Sequence, residues 1–228
     1  MAHSASREPE PREPDEAPRP AGADPDKRKR ILGAAIQTFG RRGFHEARIA
    51  EIASAAGVAE GTVYLYFRNK EDLLDVVFEE TMAGVLGTGR RIRSSEATVR
   101  ERLRAILDLH ISFLAGDRDL ASVFQIELRR SARLVERFSR SKLVEYFRLL
   151  EGLLKEGIES GELRRGLDTR LAVRILFGAA DEILSEWLLS GDPKPAATGE
   201  RLVETLLAGF GGEGALSPKK PKPPRRTE

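Results

Sequence analysis

Apolar residues recur at three- and four-residue intervals through most of this chain, and no segment keeps the apolar-polar alternation of a strand. The pattern predicts an all-α protein. Its helices fall at about 26–41, in a short pair over 49–67, and then at about 70–90, 97–115, 118–131, 133–160, 168–190 and 197–210. In the first helix, Asp26 is the acidic cap, and Ile31, Ala35 and Phe39 form a buried stripe that Leu32 and Ile36 widen. Gly40 and Gly43 are expected to end it.

The short pair carries the most information. Residues Ile49 to Phe67 read IAEIASAAGVAEGTVYLYF: an amphipathic helix, a tight Ala-Gly-Val turn and a second short helix. That is the layout of a helix-turn-helix, whose second helix enters the DNA major groove. Ile49, Ile52 and Ala53 give the first helix one apolar face, and Val58 and Val63 pin the second helix against it. Gly57 stands where the chain reverses, at an expected positive φ that is easy for glycine. Gly61 and Thr62 are small on the outward face, so the backbone can approach a nucleic acid. Asn69 is the expected cap of the next helix, with Glu71 and Asp72 at its positive end and Lys70 aimed at the DNA backbone.

Composition narrows the classes. The 228 residues allow one medium domain or two small ones with a proper core. The absence of cysteine removes disulfides, thiolate catalysis and cysteine-bound zinc. His3, His45 and His110 are scattered without metal or triad spacing, so neither a metal site nor a catalytic site is expected. Nothing supplies a nucleophile or cofactor loop, and no cofactor or enzymatic activity is expected. No apolar run approaches the ~20 residues a bilayer requires, and the start of the chain is no signal peptide, so a cytoplasmic location is the default.

Residues 1–25, rich in proline and charge, and 213–228, with Lys219, Lys220, Lys222, Arg225 and Arg226, are expected to be disordered tails. The basic tail either attracts DNA non-specifically or only solubilises the chain. The formal net charge of +2 says little, but from Asp26 to Asp72 nine Lys or Arg face six Asp or Glu. Basic residues here meet phosphate or form a solvated helix start.

The remaining helices suggest two further sites. Leu171, Ile175, Leu176, Ile183, Leu184, Trp187 and Leu188 flank the small centre Gly178, Ala179 and Ala180. With Leu202, Leu206, Leu207 and Phe210 they suit a four-helix homodimer interface, against an ordinary core helix as the plainer reading. Arg129, Arg130, Arg133, Arg137, Arg140 and Lys142 cluster beside apolar positions that include Phe113, Leu114, Val123, Phe124, Leu128, Phe138, Leu143 and Phe147. An apolar cavity with a basic mouth fits a hydrocarbon chain on a phosphorylated head. A solvated basic face is the alternative.

The string GFHEARIAEIASAAGVAEGTVYLYFRNKEDLL resembles the DNA-binding domain of the TetR family of bacterial one-component regulators. The resemblance implies a three-helix DNA-binding domain over 26–72 and a helical ligand and dimerisation domain over 73–212. It implies base or groove contacts from Arg48, Glu60, Gly61 and Thr62, and phosphate contacts from Tyr64, Tyr66 and Lys70. Tyr64 and Tyr66 could instead be core aromatics, and Phe67 is assigned to the core. The chain departs from the family at Ala47, where a threonine often caps the first motif helix, and at Ala59, near the start of the recognition helix. Each lost hydroxyl is worth about 0.5–2 kcal/mol if nothing replaces it.

The segments ISFLAGDRDLASVFQIELRRS and EGIESGELRRGLDTRLAVRILFGAADEILSEWLL are similar to the TetR-type repressors of fatty-acid degradation genes, which respond to long-chain fatty acyl-CoA. The implied lining, read from helix faces, is His110, Phe113, Leu114, Phe124, Leu128, Phe147 and Phe177, with Arg129, Arg130 and Arg133 at the mouth. The implied function is repression of such genes through operator DNA, relieved by acyl-CoA without any membrane partner. The helix from Asn69 is the expected lever. A different hydrophobic effector, such as a drug or signal molecule, is the alternative, and a purely structural helical dimer would show no operator preference. Glu127, Asp181 and Glu182 stand as acids in apolar surroundings with no catalytic partner.

Overall fold

The computed structural model describes residues 24–130, 142–191 and, farther on, 201, 202, 204–206 and 208. All regular structure among these residues is helical. Helix α1 spans Pro25–Arg42, α2 Ile49–Ala56, α3 Glu60–Tyr66 and α4 Lys70–Arg93. Helix α5 spans Val99–Ala115 and α6 Arg118–Ser122. After these come α7, Lys142–Glu159, and α8, Thr169–Ser190. The expected tails over 1–23 and 213–228, and the expected helix start over 133–141, lie outside the described residues.

Local chemistry sets the helix starts. Asp24, not Asp26, caps α1: its carboxylate accepts the Asp26 N–H at 2.9 Å. Pro25, expected in the tail, becomes the first helical residue, where a missing N–H is harmless and the fixed φ already suits a helix. Asn69 caps α4 by accepting the Asp72 N–H at 2.7 Å. Thr98 and Glu101 cap α5 reciprocally, at 3.3 and 2.9 Å. Asp168 caps α8 through the N–H groups of Arg170 and Leu171, both at 3.1 Å.

Two expectations are corrected. Gly40 does not end α1, which runs on to Gly43 with its φ of 84°. Instead Gly40 lets α1 cross α6 at close range: a Cβ there would lie 2.5 Å from the Asp119 carbonyl oxygen. The helix expected over 118–131 is also broken. It is α6, then one π-helical turn over Val123–Glu127, then a 3-10 turn over Leu128–Arg130. Such wide turns accommodate an inserted residue and recur at functional sites.

One continuous core joins the two expected domains. In the head it is built from Ile31, Ala35, Phe39, Ile52, Val63 and Phe67. In the body, Leu103, Ile106, Leu107, Leu150, Leu153 and Leu184 are wholly enclosed. Helix α4 packs against α1, α5 and α7, crossing the expected boundary at 72 without a break. Arg28 of α1 pairs with Glu80, while Arg90 and Arg93 at the other end pair with Glu145 and Glu156 of α7. No helix among the described residues is long and apolar enough to cross a membrane.

Candidate functional site

The head is a helix-turn-helix. Gly57 adopts φ 66° and ψ 40°, the left-handed conformation the reversal requires, and the Val58 N–H closes the turn on the Ala53 carbonyl at 3.0 Å. The cap of α2 is Arg48 rather than Ala47, which is buried. Glu51 accepts the Arg48 N–H at 3.2 Å. Ala59 caps α3 with no side-chain bond.

Helix α3 turns Val63 and Phe67 inward and presents Glu60, Gly61 and Tyr64 to solvent, with Thr62 half-buried beside them. Leu65, which sequence reading passed over, stands 62% exposed on the same helix. A bulky apolar residue on a face otherwise of small and polar groups was the signal for it. Arg48 is exposed beside this surface. Tyr66 is half-buried; its hydroxyl accepts the Asp24 N–H at 3.0 Å and donates to the Asp24 carbonyl at 3.3 Å. Lys70 does not extend outward: its ammonium donates to the carbonyls of His45 and Ala47, at 3.1 and 2.9 Å, and lies 4.7 Å from the Phe44 ring centre. Among the other cations, Arg28, Arg41, Arg42 and Arg68 form ion pairs, while Lys27, Lys29 and Arg30 are exposed.

Head and body meet at α6 and the π-helical turn. The Glu127 carboxylate, buried, accepts the Phe44 N–H at 2.7 Å. Ser122 donates to the Gly40 carbonyl at 3.1 Å, and Arg41 pairs with Asp119 at 3.0 Å. Two residues before Glu127, the same turn faces a cavity.

That cavity, of about 200 Å³, lies in the body. Helix α4 contributes Thr81, Met82 and Val85; α5 contributes His110, Phe113 and Leu114. Phe124, Gln125, Leu128 and Arg129 line it from the broken helix, Leu143 and Tyr146 from α7, and Phe177 and Asp181 from α8. Phe147, expected in the lining, stands behind it with its ring 5.1 Å from that of Phe177. The Arg130 side chain and Arg133, with Arg137, Phe138 and Arg140, lie outside the described residues, and Lys142 pairs with Glu145 at 3.0 Å. The α4 residues, Gln125, Tyr146 and Asp181 were not foreseen as lining. Sequence offered only the acid of Asp181 amid apolar neighbours.

The wall is apolar except along one seam. His110 and Tyr146 share a hydrogen bond of 3.2 Å, both buried. Burial pushes the His110 pKa below its usual value, with the nearby Asp181 carboxylate opposing, so the imidazole is neutral at pH 7. Burial, then Asp181, raises that of the Tyr146 phenol. Asp181 accepts the Gln125 amide at 2.5 Å and pairs with Arg129.

On its outer side α8 leaves Leu171, Ile175 and Leu189 exposed, and Gly178 open with no atom near a Cβ. Leu176, Ile183, Leu184 and Leu188 face the core instead. Leu202 and Leu206 pack partly against that core, while Leu207 and Phe210 lie outside the described residues.

Residues 31–77 match the family described as bacterial regulatory proteins, tetR family, and residues 78–207 match the YsiA-like protein, C-terminal region. The chain is 38% identical, over 81% of its length and 95% of the relative's, to the fatty acid metabolism regulator protein of Bacillus subtilis. The crystal structure of the regulator FadR from Bacillus subtilis in complex with stearoyl-CoA superposes with a TM-score of 0.75 at 38% identity, covering 80% of this chain and 98% of that one. The fatty acid degradation regulator FadR from Bacillus halodurans gives 0.77 at 37% identity, over 83% and 98%. A DNA-reading head fused to a cavity-bearing helical body, matched along both parts, makes this chain a member of the TetR family of transcriptional regulators.

Proposed function

We propose that the protein is a repressor of fatty-acid degradation genes that binds operator DNA as a homodimer and is released by long-chain fatty acyl-CoA. The observation that carries this reading is the apolar cavity walled by α4 and the π-helical turn, because both elements also hold the head. An acyl chain entering there gains about 0.8 kcal/mol per buried methylene. Arg129, half in water at the cavity wall, suits the phosphorylated carrier. The regulator crystallised with stearoyl-CoA supports the effector class.

The dimer uses the exposed face of α8, where Leu171, Ile175 and Gly178 lie on one side of the helix. It sets two recognition helices roughly 34–36 Å apart, one turn of DNA. Arg48, Glu60, Gly61 and Thr62 meet the bases or groove, and Tyr64 meets phosphate. Tyr66 and Lys70 reach phosphate by exchanging their present partners, Asp24 and the carbonyls of His45 and Ala47, for the DNA backbone. Occupancy of the cavity shifts α4 and the π-helical turn, and the recognition helices leave their spacing. Linkage then requires operator DNA to weaken acyl-CoA binding by the same factor.

Gel-shift titration against operator DNA tests the reading. Release should become stronger as the acyl chain lengthens from eight to eighteen carbons. Operator affinity that stays constant under saturating acyl-CoA of every length refutes it.

A further inference from the structure

We infer that Asp181 is a built-in competitor for the anionic head of the cavity's ligand, holding Arg129 until a stronger anion takes it. The inference rests on the acyl-carrier reading above and adds a residue that sets its specificity.

The pair stands at a boundary. The Asp181 side chain is 14% exposed and that of Arg129 is 50% exposed, so the acid belongs to the cavity wall and the base reaches water. The carboxylate is held from two sides. Gln125 donates its amide at 2.5 Å, and the Ser185 hydroxyl stands 3.1 Å from both the Gln125 carbonyl oxygen and the backbone carbonyl of Asp181. Around them the wall is apolar, with Leu114, Phe124, Leu128 and Phe177 lining the same space. A carboxylate in such a wall must be paired, and Arg129 is the cation among the described lining residues. His110, close enough to feel the charge, is kept neutral by its burial and does not take over that role.

Asp181 takes one Nη of the Arg129 guanidinium, and an anion bound on the remaining donors sits beside that carboxylate, whose like charge repels it. Anion binding therefore carries either that repulsion or the loss of the internal pair, and the ligand must exceed what Asp181 already supplies. A single carboxylate, as on a free fatty acid, offers Arg129 nothing that Asp181 lacks. A carrier with several phosphate charges does. Asp181 thus favours the activated acyl carrier over the free acid and raises the concentration at which the protein responds.

Isothermal titration of the full-length chain with palmitoyl-CoA and with palmitate, for wild type and Asp181→Asn, tests this. Asparagine keeps the shape and an acceptor for Gln125 but releases Arg129. Palmitoyl-CoA should bind the variant more tightly, by up to about fivefold, and palmitate should gain more, narrowing the ratio between them. Arg129→Gln should weaken palmitoyl-CoA, and adding Asp181→Asn to it should then change nothing. Unchanged or weaker palmitoyl-CoA binding by a folded Asp181→Asn protein overturns the inference alone. A gain from Asp181→Asn that persists without Arg129 overturns it too. No palmitoyl-CoA binding by the wild type overturns the acyl-carrier reading and this inference together.

Discussion

The carboxylate of Glu127 accepts the backbone N–H of Phe44 at 2.7 Å, although 83 residues separate them in sequence. The bond ties the loop leading into the helix-turn-helix to a turn whose neighbouring residues, Phe124 and Gln125, line the cavity. The bond joins that turn to the head by a route that does not pass through α4. Glu127→Ala leaves the Phe44 N–H buried without this acceptor and should lower stability by about 1–3 kcal/mol. Thermal melts read that loss. Glu127→Gln keeps an acceptor, and its operator complex should need more acyl-CoA for release. Identical release curves for Glu127→Gln and wild type would remove Glu127 from the coupling.

Gly40 marks the tightest part of the same joint. A methyl group there meets the backbone of Asp119 at 2.5–2.8 Å, and backbone yields less readily than a side-chain end. Gly40→Ala should cost about 1–3 kcal/mol, seen as a lower melting temperature. A melting temperature equal to wild type would show that α1 and α6 part easily.

Thr62→Ala removes a hydroxyl from the start of the recognition helix, and should weaken operator binding by up to roughly tenfold. Tyr66→Phe should act in the same direction, by removing the proposed phosphate contact for which the hydroxyl exchanges Asp24. Neither touches the cavity or α8, so acyl-CoA affinity and sedimentation should be unchanged. Loss of the dimer in either variant would contradict this placement.

Ile175→Arg puts a charge on the exposed face of α8, where a twofold partner would bring a second arginine near it. Sedimentation should show a monomer, with operator affinity falling alongside. A stable dimer would place the interface elsewhere.

His110 gives the protein a pH dependence of known sign. It faces Tyr146, Phe177 and the Asp181 charge, and burial holds its folded pKa below that of the unfolded chain. As the pH falls, the unfolded chain binds a proton first. The contribution of the neutral imidazole is therefore complete above about pH 6.5, and is lost progressively as the pH falls through the folded value. Denaturant melts of wild type should weaken over that window, and those of His110→Gln should weaken less. Equal slopes would mean that His110 titrates alike in both states.

Features that depend on neighbours along the chain were readable from the residues alone. Helical periodicity, the Gly57 reversal and the Asn69 cap each act within a few residues, so the all-helical class and the helix-turn-helix were legible. Much of the cavity lining on α5 and the broken helix was legible too, since apolar faces at 110–114 and 124–128 already turn one way. The rest depends on packing between distant segments. Gly40 read as a helix stop because nothing local reveals Asp119 pressing on it. Phe147 and Tyr146 are adjacent, both aromatic and both packed against Phe177, yet of the two it is Tyr146 that lines the cavity. Asp181 and Glu182 look equivalent in sequence, yet one lines the cavity and the other faces solvent. Helix pattern sets which residues share a face; what that face meets is set by contacts between segments far apart in the chain.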